Sequence, residues 1–290
     1  MPFLETQIYF QKHNEVITNM LSAVNLSSTY ANSSSVHENF SLQNLSFSLR
    51  AKSLTALIGP NGSGKTTLLR VLARLQKYSG SVLLNGQEIT TIPRKKFARY
   101  VSFTMSAQNF HPHYPYTIRE ILQLHLQLQN MHVNHDAINY YADILGIRNL
   151  LSRSVLTLSD GQRQLALIVA ALVQNSTIML LDEPASALDP DKSAQVFSLL
   201  KGLAQQGKCI IASSHDINTA AAFADEYLAL KDGVLLSQSG KLDAELLREL
   251  YGVEFSPFHD KEGFTTWHVS PKHYYSSRSS CPQPQAQASE

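Results

Sequence analysis

Short, unbroken apolar runs lie at Leu54–Gly59, Thr177–Leu181 and Cys209–Ser213. Runs without alternation suit parallel strands buried on both faces of a sheet. Two earlier runs, Ala23–Tyr30 and Phe40–Leu49, are also β-rich, and the second alternates apolar and polar positions as a half-exposed strand does. Over Thr66–Leu75 the period changes, with Leu68, Leu69, Leu72 and Leu75 at helical spacing. The strand before it ends in a glycine-rich turn, so strand, loop and helix form one βα unit of a parallel sheet. Residues from about 105 to 175 are helix-rich, with a Leu–Gln periodicity in REILQLHLQLQ, and interrupt the α/β pattern as a helical subdomain.

These patterns predict an α/β fold with a parallel sheet, an N-terminal antiparallel β subdomain and a helical subdomain. Its expected boundaries are an N-terminal extension at 1–20, a main domain at 21–240, a helical and β appendage at 241–275, and a disordered tail at 276–290. The appendage carries an amphipathic helix, LDAELLREL, and the tail is rich in Ser, Gln and Pro.

Composition narrows the function by exclusion. A formal net charge of +1 offers no electrostatic case for nucleic acid or an anionic membrane surface. Two cysteines, Cys209 and Cys281, are too few for a disulfide framework, and Cys209 sits in an apolar run where a buried structural thiol is expected. The chain has no apolar stretch of the ~18 residues that a membrane helix requires, and its start lacks the basic and apolar regions of a secretory signal. The histidines His111, His113, His125, His132 and His135 lack paired ligand spacing and read as solvated or core side chains.

The chemistry lies in two short motifs. Gly59-Pro60-Asn61-Gly62-Ser63-Gly64-Lys65-Thr66-Thr67 fits G-x-x-x-x-G-K-[ST]. A triphosphate needs several backbone N–H groups converging on its oxygens, and glycine lets the main chain curl that closely. The following helix turns its unpaired N–H groups and positive dipole end toward the phosphates. Lys65 is expected to bridge the β- and γ-phosphates of ATP, and the Thr66 hydroxyl to hold Mg²⁺. The strand Ile178–Leu181 ends in Asp182 and Glu183. Asp182 is expected to hold Mg²⁺ directly or through water, and Glu183 to polarise the attacking water; read alone, the pair is also an acidic helix start.

The chain resembles the ATP-binding subunits of ABC transporters, because that family's other elements follow in order. Leu158-Ser159-Asp160-Gly161-Gln162 resembles the LSGGQ signature, with Asp160 replacing a glycine. The resemblance implies that Ser159, Gly161 and Gln162 meet ATP held by a facing subunit. As a local element, LSDGQ is also a helix start capped by Ser159 or Asp160. Gln108 occupies the place of the Q-loop glutamine, which senses Mg²⁺, although Ala107 replaces the usual proline. Ser186–Asp189 matches the D-loop, and His215 the switch histidine that contacts the γ-phosphate. Tyr30 falls where the family places an aromatic that stacks on adenine. A solvated loop glutamine and an exposed strand-end tyrosine are the simpler alternatives for Gln108 and Tyr30.

The resemblance further implies a head-to-tail dimer of two copies with ATP sandwiched between them. It also implies polytopic permease subunits, an indirect link to a substrate-binding protein, and a place on the cytoplasmic face of the inner or plasma membrane. Leu242–Gly252 and the spacing from Gln108 to Glu120 are similar to the importer group for iron-siderophore, haem and cobalamin. Arg50-Ala51-Lys52-Ser53 replaces that group's Pro-x-Gly-Glu turn, and Leu165 and Ala170 stand where arginines are common. The alternatives are another cargo, a soluble ABC ATPase without transport, or a degenerate binding module; Lys65, Asp182, Glu183 and His215 argue against the last.

Overall fold

The computed structural model describes residues 20–29, 41–261 and 264–270. Tyr30, most of the N-terminal extension, Cys281 and the 276–290 tail lie outside the described residues.

Twelve strands form three sheets among the described residues. The first is antiparallel, in the order β2 (Ser41–Leu49), β1 (Leu21–Thr29), β4 (Ser79–Leu84), β5 (Gln87–Glu88). The second has six strands: β10 (Val234–Ser239), β9 (Glu226–Lys231), β3 (Ser53–Ile58), β8 (Cys209–Ser214), β7 (Ile178–Leu181) and β6 (Val101–Thr104). Within it β9, β3, β8, β7 and β6 run parallel, and β10 is an antiparallel edge. A hairpin, β11 (Phe255–His259) with β12 (Thr265–Val269), is the third sheet.

The unbroken apolar runs are explained by burial on both faces. On one side of the large sheet Leu57, Ile178, Leu180, Cys209, Ile211 and Leu228 pack with Leu68, Leu69 and Leu72 of helix α1 (Lys65–Leu72). That layer continues into Leu21, Leu26, Leu45, Phe47 and Val82 of the antiparallel sheet, so α1 is sandwiched between two sheets. On the other face Leu54, Met179, Leu181, Ile210 and Ala212 meet helices from the 105–205 region. Each such large apolar side chain contributes about 1.5–3 kcal/mol by leaving water, so both strand faces resist polar substitution.

Helix α2 (Arg94–Tyr100) precedes β6, and α3 (Ile118–Leu128), α4 (His135–Ile144) and α5 (Asp160–Gln174) supply the helical region before β7. A capping box at Thr117 and Glu120 starts α3, satisfying backbone donors that the helix leaves unpaired. α6 (Pro190–Gln205), α7 (Ile217–Phe223) and α8 (Ala244–Tyr251) complete the order.

One helix boundary differs from its expected place. The pattern ran to Leu75, but α1 ends at Leu72 and Leu75 is 61% exposed. Arg74 takes a left-handed φ of 59°. Its guanidinium donates to Ile92 O at 2.6 Å and lies 5.1 Å from the centre of the Phe97 ring. These contacts turn the backbone outward one turn before the leucine spacing ends.

Candidate nucleotide-binding site

Sheet order assembles the site. β3, β8 and β7 are adjacent and parallel, so the residues following them emerge side by side at one edge of the sheet. Ligands in open α/β sheets bind at such carboxyl ends. β3 delivers the phosphate loop, β7 delivers Asp182 and Glu183, and the central β8 delivers Ser213, Ser214 and His215.

The phosphate loop folds as its glycines require. Gly59, Gly62 and Gly64 have φ of +154°, +82° and +106°, a region that residues with a Cβ adopt at a cost. Lys65, only 6% exposed, donates from Nζ to Gly59 O at 2.8 Å and Pro60 O at 3.1 Å. Burial pushes its pKa down, while nearby Glu183 and Asp182 pull it up. The lysine is thus folded onto its own loop, facing the two carboxylates. Asn61, Gly62, Gly64, Lys65, Thr66, Thr67 and Glu183 line a cavity of about 210 Å³, whose loop N–H groups and lysine suit phosphate oxygens. Pro60 is half-buried and Ser63 buried, and neither lines this cavity.

Asp182 is 2% exposed. Its Oδ2 accepts from Thr66 Oγ1 at 2.8 Å and its Oδ1 from Ser213 Oγ at 2.8 Å. A hydroxyl and a carboxylate in contact provide the hard oxygen donors that Mg²⁺ prefers. Ser213 Oγ also accepts the Glu183 N–H at 2.8 Å, so one buried hydroxyl ties both acidic residues to the central strand. Glu183 has a left-handed φ of 48°, a strained conformation for a residue with a side chain. Its carbonyl accepts from Ser186 N and Oγ at 3.3 and 3.2 Å. His215 Nδ1 stands 3.8 Å from Glu183 Oε2.

Ser213 received no role from the motifs. Its signal was a serine at the end of an apolar strand, two residues before His215. Ser213→Ala is expected to lower stability by about 1–3 kcal/mol, because it strands a buried acceptor and a backbone donor. It is also expected to lower ATP turnover by about tenfold through the displaced carboxylates. Denaturant titration and steady-state phosphate release check the two effects separately.

The signature stands apart from this cavity. Ser159 caps α5 in a capping box, its Oγ accepting from Gln162 N at 3.2 Å while Gln162 Oε1 accepts from Ser159 N at 3.2 Å. Of the two capping candidates, Ser159 is therefore the cap, and Asp160 instead pairs with Arg163 at 2.9 Å. A Cβ on Gly161 would come within 2.7 Å of Ala187 O, so the signature glycine is pressed against the D-loop of its own chain. Asp189 caps α6, accepting from Lys192 N at 2.8 Å. Gln108 sits exposed in a 3₁₀ turn, away from the residues lining the phosphate cavity. The buried residue of that turn is Ala107, whose N–H donates to Gln164 Oε1 at 2.7 Å. His125 is half-buried: it shares hydrogen bonds with Gln174 and Gln129, and burial lowers its pKa. Among the described residues no group of three or more His, Cys, Asp or Glu side chains could hold a metal.

A family model described as ABC transporter matches residues 42–186, spanning the phosphate loop, the signature, Asp182 and Glu183. The chain belongs to the ABC transporter family. Like that family's ATP-binding subunits, it hydrolyses ATP. It is 32% identical over 248 residues to the petrobactin import ATP-binding protein FpuC of Bacillus anthracis, covering 81% of this chain and 90% of that protein. It is 36% identical over 222 residues to the ferric enterobactin transport ATP-binding protein FepC of Escherichia coli K12, covering 73% and 81% of the two chains. A solved dimer of the ATP-binding cassette MJ0796, in a post-hydrolysis state with ADP and Pi, superposes with a TM-score of 0.66 at 26% identity. That match covers 76% of this chain and 98% of the cassette. Among the described residues no helix is long and apolar enough to cross a membrane.

Proposed function

We propose that this ABC ATPase drives import of an iron–siderophore complex, working as a head-to-tail dimer on the cytoplasmic face of a membrane and bound there to polytopic permease subunits. The convergence of Lys65, Asp182, Glu183 and His215 at the ends of three adjacent strands carries the catalytic part of this reading. The petrobactin and ferric enterobactin relatives support the cargo class. A substrate-binding protein would deliver that cargo to the permease, and nucleic acid has no part in the cycle.

The loop from Gly59 to Thr67 binds the ATP phosphates through its backbone N–H groups, all but Pro60 having one, and Lys65 Nζ leaves its own loop carbonyls to meet them. Thr66 Oγ1 and Asp182 would hold Mg²⁺, which when bound neutralises phosphate charge and draws electrons from the bond to be broken. Glu183 accepts the proton of the attacking water, and His215 orients toward the γ-phosphate beside it. The buried Ser213 hydroxyl keeps both carboxylates in register. Tyr30 stacks on adenine, and Gln108 enters the site when the 3₁₀ turn moves inward.

Ser159, Gly161 and Gln162 do not line the phosphate cavity of their own chain. In the proposed dimer they meet the nucleotide of the second copy, as does the D-loop ending at Asp189. Each chain then holds half of two sites.

The test is uptake in cells lacking this chain. Wild-type protein is expected to restore accumulation of radiolabelled iron–siderophore and to co-purify with a polytopic membrane protein. Lys65→Ala is expected to restore neither ATP turnover nor uptake. Haem or labelled cobalamin taken up in place of the siderophore would overturn the cargo. Normal turnover with no change in any uptake and no membrane partner would overturn transport itself.

A further inference from the structure

The C-terminal appendage is built into the support of the nucleotide site. Asn218, in the first turn of α7, accepts the Trp267 N–H on Oδ1 at 2.7 Å and donates from Nδ2 to Trp267 O at 3.3 Å. A side-chain amide thus pairs with both backbone groups of one residue in β12, as a neighbouring strand would. Trp267 is 8% exposed and packs with Leu247 and Phe255, against Ile217 and Ala221 of α7. From α8, Tyr251 joins the same cluster and brings its phenol beside the backbone of Gly59, where the phosphate loop begins.

α7 is held by its neighbours: Ala220 packs with Ala56 and Ile58 of β3, and Phe223 stacks on Phe197 of α6 at 5.9 Å. It spans seven residues, of which Ala220 is the buried one, whereas an isolated helix needs roughly 12–15 residues to be even marginally stable. Its start is tied locally. Asp216 caps it through Asn218 N at 2.9 Å, and Ser214 Oγ accepts the Asp216 N–H at 3.1 Å. His215 lies between those two anchors, with a side chain 58% exposed. Beside it opens a cavity of about 370 Å³ lined by Glu183, Ser186, Ser213, His215, Asn218 and Phe223, among others. The space around the imidazole leaves its placement to the backbone, which leaves β8 at Ser214 and enters α7 at Ile217.

We propose that Asn218 is a positioning residue for ATP hydrolysis, through which the C-terminal hairpin holds α7 and hence the switch histidine His215 in register with Glu183. Asparagine alone among residues of its size presents one acceptor and one donor in the fork that a strand residue demands. The inference rests on the role given to His215 above. A displacement of about 1 Å in a catalytic group can cost on the order of a hundredfold in rate, so a small shift of α7 suffices.

The experiment uses the full chain. Asn218→Ala and Asn218→Asp, the second keeping the acceptor but losing the donor, are measured for turnover, ATP KM and thermal unfolding. Both are also made in a His215→Ala background and followed by single-turnover hydrolysis. Lys65→Ala and Glu183→Gln serve as inactive controls.

Asn218→Ala is expected to lower kcat by about tenfold with KM changed less than about twofold. Asn218→Asp is expected to fall between it and wild type. Neither is expected to slow the His215→Ala protein further, because the residue through which Asn218 acts is already gone. Ring signals of His215 in histidine-labelled protein, assigned through His215→Ala, are expected to shift in Asn218→Ala. An unchanged kcat, or the same loss with and without His215, overturns the inference. Hydrolysis surviving in the Lys65 and Glu183 controls instead overturns the catalytic site on which it rests.

Discussion

Glu183→Gln is expected to lower ATP turnover by about a hundredfold or more while leaving ATP binding intact, so that an ATP-bound dimer accumulates. The substitution keeps size and hydrogen-bonding reach but removes the basic carboxylate, and general-base catalysis contributes about 10²–10⁴-fold. The backbone at this position should hold. Its N–H is fixed by Ser213 Oγ at 2.8 Å and its carbonyl by Ser186, and neither contact uses the side chain. The left-handed φ of 48° is therefore retained in the variant. With Asp182 and Thr66 untouched, the groups proposed to hold Mg²⁺ remain. Phosphate release measures the rate, and size-exclusion chromatography with and without ATP measures the dimer. A rate within about tenfold of wild type would show that another group accepts the proton.

Gly59→Ala is expected to be the most damaging single change in the phosphate loop. An added Cβ would lie 2.0 Å from Leu230 O and 2.7 Å from Ser63 Oγ, at a φ of +154°. Leu230 O belongs to the β9 backbone, which cannot move without breaking its pairing with β3. The expected loss is about 4 kcal/mol or more, the range reserved for steric and backbone faults of this kind. Gly62→Ala is the control. Its Cβ would meet nothing within 4 Å, but its φ is +82°, so the left-handed penalty of about 1–2 kcal/mol is expected alone. Chemical denaturation of both variants measures the difference, and nucleotide titration reports loop geometry. Equal losses would mean that close approach to β9 does not explain the glycine.

Motif order and apolar runs made much of the site legible. The phosphate loop is specified locally: its glycines are needed for its own curvature, and the helix after it is read from the leucine spacing. Asp182 and Glu183 were legible because two carboxylates directly follow an apolar strand in a chain that also carries a phosphate loop. Leu75 misled because a one-dimensional period cannot register that Arg74 finds acceptors on the segment before α2. The hairpin support of α7 was invisible for a similar reason. Nothing local to Asn218 announces a backbone partner 49 residues away. Gln108 shows the opposite limit: its motif place was readable, but its exposed turn depends on how Ala107 docks onto α5.

The amino-acid sequence by itself determined the family, and it carries the phosphate-loop pattern and the two acidic residues after an apolar strand, because each depends on residue types at short fixed spacing. The tertiary structure alone decided that β8 lies between β3 and β7. That order brings Ser213 onto Asp182 and Glu183, and His215 within 3.8 Å of Glu183. Strand order is a property of the whole folded sheet, set by burial on both its faces, and no short segment carries it.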